Sequence, residues 1–159
     1  MISVFDLFSI GVGPSSSHTV GPMIAGHAFV EQLELQHLLD KTQHIEIELY
    51  GSLALTGKGH ATDLAVLNGL SGFTPETVEP KSIKPLVEQI STSHLITLNQ
   101  KHTIPFKVKE DLKFFQKAYL PKHSNGLIIK AYDNQHQLIL SETYYSIGGG
   151  FVVTDQEFD

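Results

Sequence analysis

His44-Ile45-Glu46-Ile47-Glu48-Leu49-Tyr50 alternates apolar and polar side chains without a break. Successive side chains of a strand point to opposite faces, so this spacing predicts a half-buried strand. Ile45, Ile47 and Leu49 face a core, and Glu46, Glu48 and Tyr50 face away from it. Gly51-Ser52 ends the strand. The pattern on either side is helical. Upstream, from about Pro22 to Leu39, helix formers dominate and Pro22 suits a first turn. At helical spacing Ile24, Ala28, Leu35, Leu38 and Leu39 share one stripe, with Phe29 and Leu33 beside it, so the apolar face is broad and a well-buried helix is expected. Downstream, a second helix is expected from near Lys58 to Leu70, ending in the Gly69–Gly72 region.

Farther along, Ile83, Leu86, Val87 and Ile90 follow the i, i+3, i+4, i+7 rule of a short amphipathic helix, with Ser82 placed as its N-cap and Pro85 tolerable in its first turn. Leu95 to Leu98 and Ile104 to Val108 read as short strands, the second at an edge because Pro105 lacks a ladder donor. Leu127 to Tyr132 and Leu138 to Tyr145, joined by Asp133-Asn134-Gln135, predict a hairpin. Gly148-Gly149-Gly150 breaks the pattern, and residues 151–159 read as a strand end running into an acidic tail. The expected class is α+β, a mixed or antiparallel sheet with helices packed on one side.

The 159 residues suit one domain, and 41% hydrophobic with 18% charged residues is ordinary globular material. Net charge is −6, from 11 basic and 17 acidic residues, with no basic stripe, which argues against a nucleic-acid partner. No apolar run approaches the ~20 residues of a membrane helix. The N-terminus opens without the basic stretch of a secretory signal, so no membrane association and a cytoplasmic location are expected. The chain has no cysteine, hence no disulfide and no thiolate to offer an iron–sulfur cluster.

The most unusual stretch is Gly11-Val12-Gly13-Pro14-Ser15-Ser16-Ser17-His18-Thr19-Val20-Gly21-Pro22, which sets four hydroxyls and a histidine just ahead of a helix. A helix start carries unpaired N–H groups and partial positive charge, and hydroxyls beside it make a seat for a carboxylate or phosphate. The same residue types also serve a simple capped turn. A Ser–His hydrolase is disfavoured because the Gly-x-Ser-x-Gly elbow is absent. No His-x-x-x-His or His-Glu-x-x-His pair suggests a metal ligand set, and His27, His37, His44, His94, His102 and His136 are scattered.

Four blocks together carry a family likeness. Residues 13–22 of that loop, Tyr50-Gly51-Ser52-Leu53-Ala54-Leu55-Thr56-Gly57-Lys58-Gly59-His60-Ala61-Thr62-Asp63, Pro121-Lys122-His123-Ser124-Asn125-Gly126 and Tyr144-Tyr145-Ser146-Ile147-Gly148-Gly149-Gly150-Phe151 resemble, in order and spacing, the signature blocks of the iron–sulfur L-serine dehydratases, in their N-terminal β domain. The resemblance covers nearly the whole chain. It implies a β domain over residues 1–150 and, over 151–159, the start of a linker toward a catalytic α domain in the same or a separate chain. It further implies a fold similar to the allosteric substrate-binding domain of phosphoglycerate dehydrogenase.

What the resemblance implies about function is the deamination of L-serine to pyruvate and ammonia without pyridoxal phosphate. A [4Fe–4S] cluster would be bound outside this chain, by the catalytic domain, and this chain alone would be inactive. His18 and His60 are the candidates for general base or substrate orientation, histidine being the side chain that titrates near neutral pH. Ser15, Ser16, Ser17 and Thr19 are assigned to substrate binding, with Lys58, His123 and Asn125 as further candidates. Asn125-Gly126 also reads as a plain turn. A homodimer is expected. The alternatives are a regulatory module that binds serine or phosphate without taking part in chemistry, and a purely structural dimerisation domain.

Overall fold

Ile45, Ile47 and Leu49 are fully buried, as their alternation requires, and the strand that carries them is interior to the sheet. The computed structural model describes residues 17–55 and 62–158. In chain order these form α1 (Val20–Leu35), a 3-10 turn (Leu39–Lys41), β1 (His44–Gly51), α2 (Thr62–Leu70), a 3-10 turn (Pro80–Ser82), α3 (Ile83–Ser93), β2 (Leu95–Leu98), β3 (His102–Pro105), α4 (Val108–Asp111), β4 (Leu112–Phe115), β5 (Asn125–Tyr132), β6 (Leu138–Gly148) and β7 (Phe151–Thr154). The main sheet has five strands in the order β4-β1-β5-β6-β7, and β2 with β3 makes a separate hairpin. β4 runs parallel to β1 and every other pairing in the main sheet is antiparallel, so the sheet is mixed and the class is α+β as expected.

The boundaries differ from the sequence reading in places that have physical causes. α1 starts two residues before Pro22 and ends at Leu35, which is 78% exposed, while Met23, Ala25, Phe29, Val30 and Leu33 are buried. The helix is apolar on nearly every side, so periodicity could not define its core face sharply; Phe29 and Leu33 are at its centre, Ile24 and Ala28 pack at its margin, and Leu35 lies outside it. Ser82 precedes α3, but its hydroxyl donates to the Glu79 carbonyl instead of capping the helix. The strand placed at Ile104 to Val108 ends at Pro105, and Val108 opens α4. β4 escaped the sequence reading because it is four residues long and its partner strand lies far away in sequence. Phe151–Thr154 adds a fifth strand beside β6, and the ring of Phe158 packs against Tyr145 and His123.

α1 packs on one face of the sheet, against β5, β6 and β7, and α2 packs on α1. The two helices meet backbone to backbone. A Cβ on Gly26 would lie 2.6 Å from the Val66 carbonyl oxygen, and one on Gly69 would lie 2.2 Å from that of Met23. Both distances are shorter than real Cβ contacts allow, so the glycines are what lets the helices come this close.

The other face of the sheet carries a charged and aromatic network. Tyr132 Oη and Lys113 Nζ donate to Glu46 at 2.9 and 3.2 Å, and Tyr50 Oη and Lys130 Nζ donate to Glu48 at 2.9 and 3.0 Å. Burial works against ionising Glu46, but the bonds from Tyr132 and Lys113 outweigh it and hold the carboxyl below its ordinary value of 4.5. Burial, and then the carboxylate it serves, pushes each tyrosine up to about 12.

Two measurements check this packing. Gly26→Ala and Gly69→Ala should each destabilise the protein by about 2–3 kcal/mol in urea denaturation, because the helices must be forced apart. Glu46 has a depressed folded pKa, so its stabilisation is present above pH 4.5 and fades as pH falls through the lower folded value. Glu46→Gln should therefore cost about 1 kcal/mol at neutral pH and converge with the wild type in acid. A constant gap across that range would contradict the network's role.

Candidate active site

The turn at residues 17–19 leads directly into α1, and Thr19 stands at the N-cap position. His18 ties this turn to the end of β1, its Nε2 lying 3.1 Å from the Ser52 carbonyl oxygen. A carbonyl can only accept, so Nε2 carries the proton. In the neutral ring Nδ1 is then the acceptor, and the Ser17 hydroxyl donates to it at 3.0 Å. A second tie comes from α2, where the fully buried Thr62 hydroxyl donates to the His18 carbonyl at 3.0 Å. With Thr62 at His18 and Gly69 at Met23 and His27, α1 and α2 run in the same sense, and their starts meet at one place.

Beneath that place lies one end of the sheet. The Ser52 N–H donates to the Ser124 carbonyl at 2.9 Å, which joins the end of β1 to the turn before β5. In that turn the Asn125 N–H donates to His123 Nδ1 at 2.9 Å, so His123 shapes the entry of β5. Asn125 then reaches across to β6, its Nδ2 donating to the Ser146 carbonyl at 3.1 Å. Gly126 pairs with Tyr145, so Asn125 and Ser146 are cross-strand neighbours one step farther along. Both fall on the helix-facing side, in phase with the core residues Leu127 and Tyr144. Gly148, Gly149 and Gly150 follow at φ of 96°, 62° and 79°, values that favour glycine, and a Cβ on Gly150 would come within 3.5 Å of Val20 in the first turn of α1.

The electrostatics follow from these elements. α1 has no side-chain cap bond and no acidic residue in its first turn among the described residues, so the positive end of this 16-residue helix carries no opposing charge of its own. α2 differs, because Asp63 sits in its first turn and accepts from the Leu64 N–H at 2.9 Å. Of the two helix starts, that of α1 is therefore the more favourable for an anion. Against it stand two acceptors with nothing to accept. Asn125 Oδ1 and Ser146 Oγ are buried without a hydrogen-bond partner, and the third such atom among the described residues, Asn68 Oδ1, lies in α2.

Of the candidates drawn from sequence, Ser17, His18, Thr19, His123 and Asn125 are brought to this one end of the sheet. Ser15, Ser16, Lys58 and His60 lie outside the described residues. The sequence reading missed Thr62, Ser146 and the Ser52 carbonyl. Ser146 had a faint signal, a hydroxyl in the apolar phase of a strand. The carbonyl had none, because backbone roles leave no trace in residue identity. Among the described residues no group of three or more histidine, cysteine or acidic side chains could hold a metal ion. No helix among them is long and apolar enough to cross a membrane.

Comparison with known proteins identifies the family. The family model described as serine dehydratase beta chain matches residues 3–157. L-serine dehydratase TdcG of Escherichia coli is 49% identical over 159 residues, covering 99% of this chain and 35% of that protein. The L-serine dehydratase of Streptomyces coelicolor is 50% identical over 154 residues, covering 97% and 34%. That of Helicobacter pylori strain 26695 is 46% identical over 157 residues, covering 99% and 34%. The chain thus spans about a third of the length of the curated relatives it matches.

The meeting of the two helix starts depends on the Thr62 hydroxyl. Thr62→Val keeps the shape and removes the bond to the His18 carbonyl, so a loss of about 1–2 kcal/mol is expected in urea denaturation. An unchanged midpoint would show that the two helices are held without this tie.

Proposed function

Because the chain belongs to the serine dehydratase beta chain family, we propose that it is the substrate-side domain of an L-serine dehydratase, an L-serine ammonia-lyase that converts L-serine to pyruvate and ammonia. The observation that carries this reading is the convergence of the described parts of the four sequence blocks on one end of the sheet, beneath the start of α1. The helix start, with Ser15, Ser16, Ser17 and Thr19, receives the substrate carboxylate. His18 and His60 are the candidates for the base that removes the α-proton, with Lys58, His123 and Asn125 completing the substrate contacts. The bond from Nε2 to the Ser52 carbonyl leaves Nδ1 as the atom of neutral His18 that can take up a proton.

The residues of this chain do not fit an iron–sulfur cluster, since the sequence has no cysteine. The [4Fe–4S] cluster is assigned to a separate catalytic domain, in the same or another chain, and the isolated chain is expected to be inactive. Support for such a partner comes from the apolar rim of the site. Leu55, Phe115, Tyr119, Ile147 and Phe151 are large, exposed and all at this end of the sheet, with Phe151 68% exposed. Apolar surface concentrated around a polar centre is what a docked domain covers. A homodimer and a cytoplasmic setting complete the proposal; residues 151–154, expected from sequence to begin a linker, pair with β6 as β7 and belong to this domain.

The test is co-expression of this chain with a cysteine-bearing catalytic domain under anaerobic conditions, followed by an assay of pyruvate from L-serine. His18→Ala and His60→Ala should each lower kcat by about a hundredfold or more. Full activity in both variants would overturn the assignment of the site. Tight binding of phosphate by the chain, with catalysis untouched by both substitutions, would favour the regulatory-module reading.

A further inference from the structure

The two buried acceptors opposite the start of α1 remain to be explained. A buried polar group without a partner costs about 1–3 kcal/mol, so two on adjacent strands at one site call for a ligand that satisfies both. Their chemistry narrows what that ligand is. Asn125 Nδ2 donates to the Ser146 carbonyl, which fixes the amide orientation and leaves Oδ1 as a pure acceptor. Ser146 is 1% exposed, and its Oγ can accept as well as donate. Glu142 and Tyr144 share the face of β6 that carries Ser146. Tyr144 belongs to the core cluster and α1 packs on β6, so Ser146 faces the helix and not solvent.

The site is therefore polar in a definite direction, electropositive at the start of α1 and rich in acceptors on the β5–β6 floor. We propose that Asn125 Oδ1 and Ser146 Oγ form a seat for the α-ammonium group of an amino-acid substrate, and so select amino acids over hydroxy acids that lack the amine. The inference rests on the substrate reading of the preceding subsection and assigns Ser146 a binding role. An ammonium has three N–H donors and no acceptor, which matches a pair of unpartnered oxygens. The carboxylate of the same zwitterion then falls to the helix start, so its two ends meet opposite poles of the site.

The experiment uses the enzyme assembled with its catalytic domain and two probes that share a carboxylate and a β-hydroxyl, L-serine and 3-hydroxypropanoate, the latter lacking the amine. Ser146→Ala should raise KM for L-serine about tenfold, leave kcat within about twofold, and leave inhibition by 3-hydroxypropanoate nearly unchanged. The melting temperature should stay level or rise, because an unpartnered buried hydroxyl has been removed. Asn125→Ala, which removes the other acceptor, should likewise weaken L-serine while sparing 3-hydroxypropanoate. Equal weakening of both probes, or a lowered melting temperature with unselective loss, would overturn the inference in favour of a structural role. Unchanged discrimination in both variants would overturn it in favour of a pair bridged by water. Failure of the wild-type assembly to act on L-serine would instead defeat the substrate reading itself, which keeps the two failures distinct.

Discussion

Helices ordinarily pack with their axes 8–10 Å apart, kept there by the side chains between them. At Gly26 and Gly69 those side chains are missing, and the backbones of α1 and α2 come into contact. Everything at the site follows from that approach. It lets two helices running in the same sense bring their starts together, where the Thr62 hydroxyl reaches the His18 carbonyl. His18 in turn reaches down to the Ser52 carbonyl and fastens the helix layer to the sheet. A single methyl group at either glycine would disturb the contact on which both ties depend.

The resulting centre is built from backbone as much as from side chains. Its positive pole is the start of α1, whose own first turn carries no acidic residue among the described residues, and its acceptor floor is Asn125 and Ser146 on adjacent strands. Such an arrangement is costly in an isolated chain, since two buried oxygens are left without a hydrogen-bond partner. Functional sites commonly carry this kind of local cost, offset by packing elsewhere. The offset is visible in β1, whose core face is fully buried and whose outer face is laced to β4 and β5 by the bonds to Glu46 and Glu48. The strand that ends at the site is thereby held from both sides. The apolar rim around the same end, from Leu55 to Phe151, gives the site a border that a second domain would close.

Much of this was readable from residue order. The alternation at residues 44–50 located β1 and its core face, because period two leaves no ambiguity when one face is buried. The β5–β6 hairpin was equally plain, and the four blocks marked the regions that meet. The core face of α1 was not readable, because an apolar residue on almost every side removes the contrast that periodicity needs. β4 was too short to stand out, and its parallel pairing with β1 joins segments more than sixty residues apart.

Local chemistry along the chain was enough to establish the class of fold and the absence of thiolate ligands, since each depends on which side chains are present and how they alternate. Which histidine nitrogen is held, which helix start is left positive and which hydroxyl is stranded depend on distances between segments remote in sequence. Ser146 matters because of an asparagine on the next strand and a helix more than a hundred residues earlier, and a linear pattern holds no record of either.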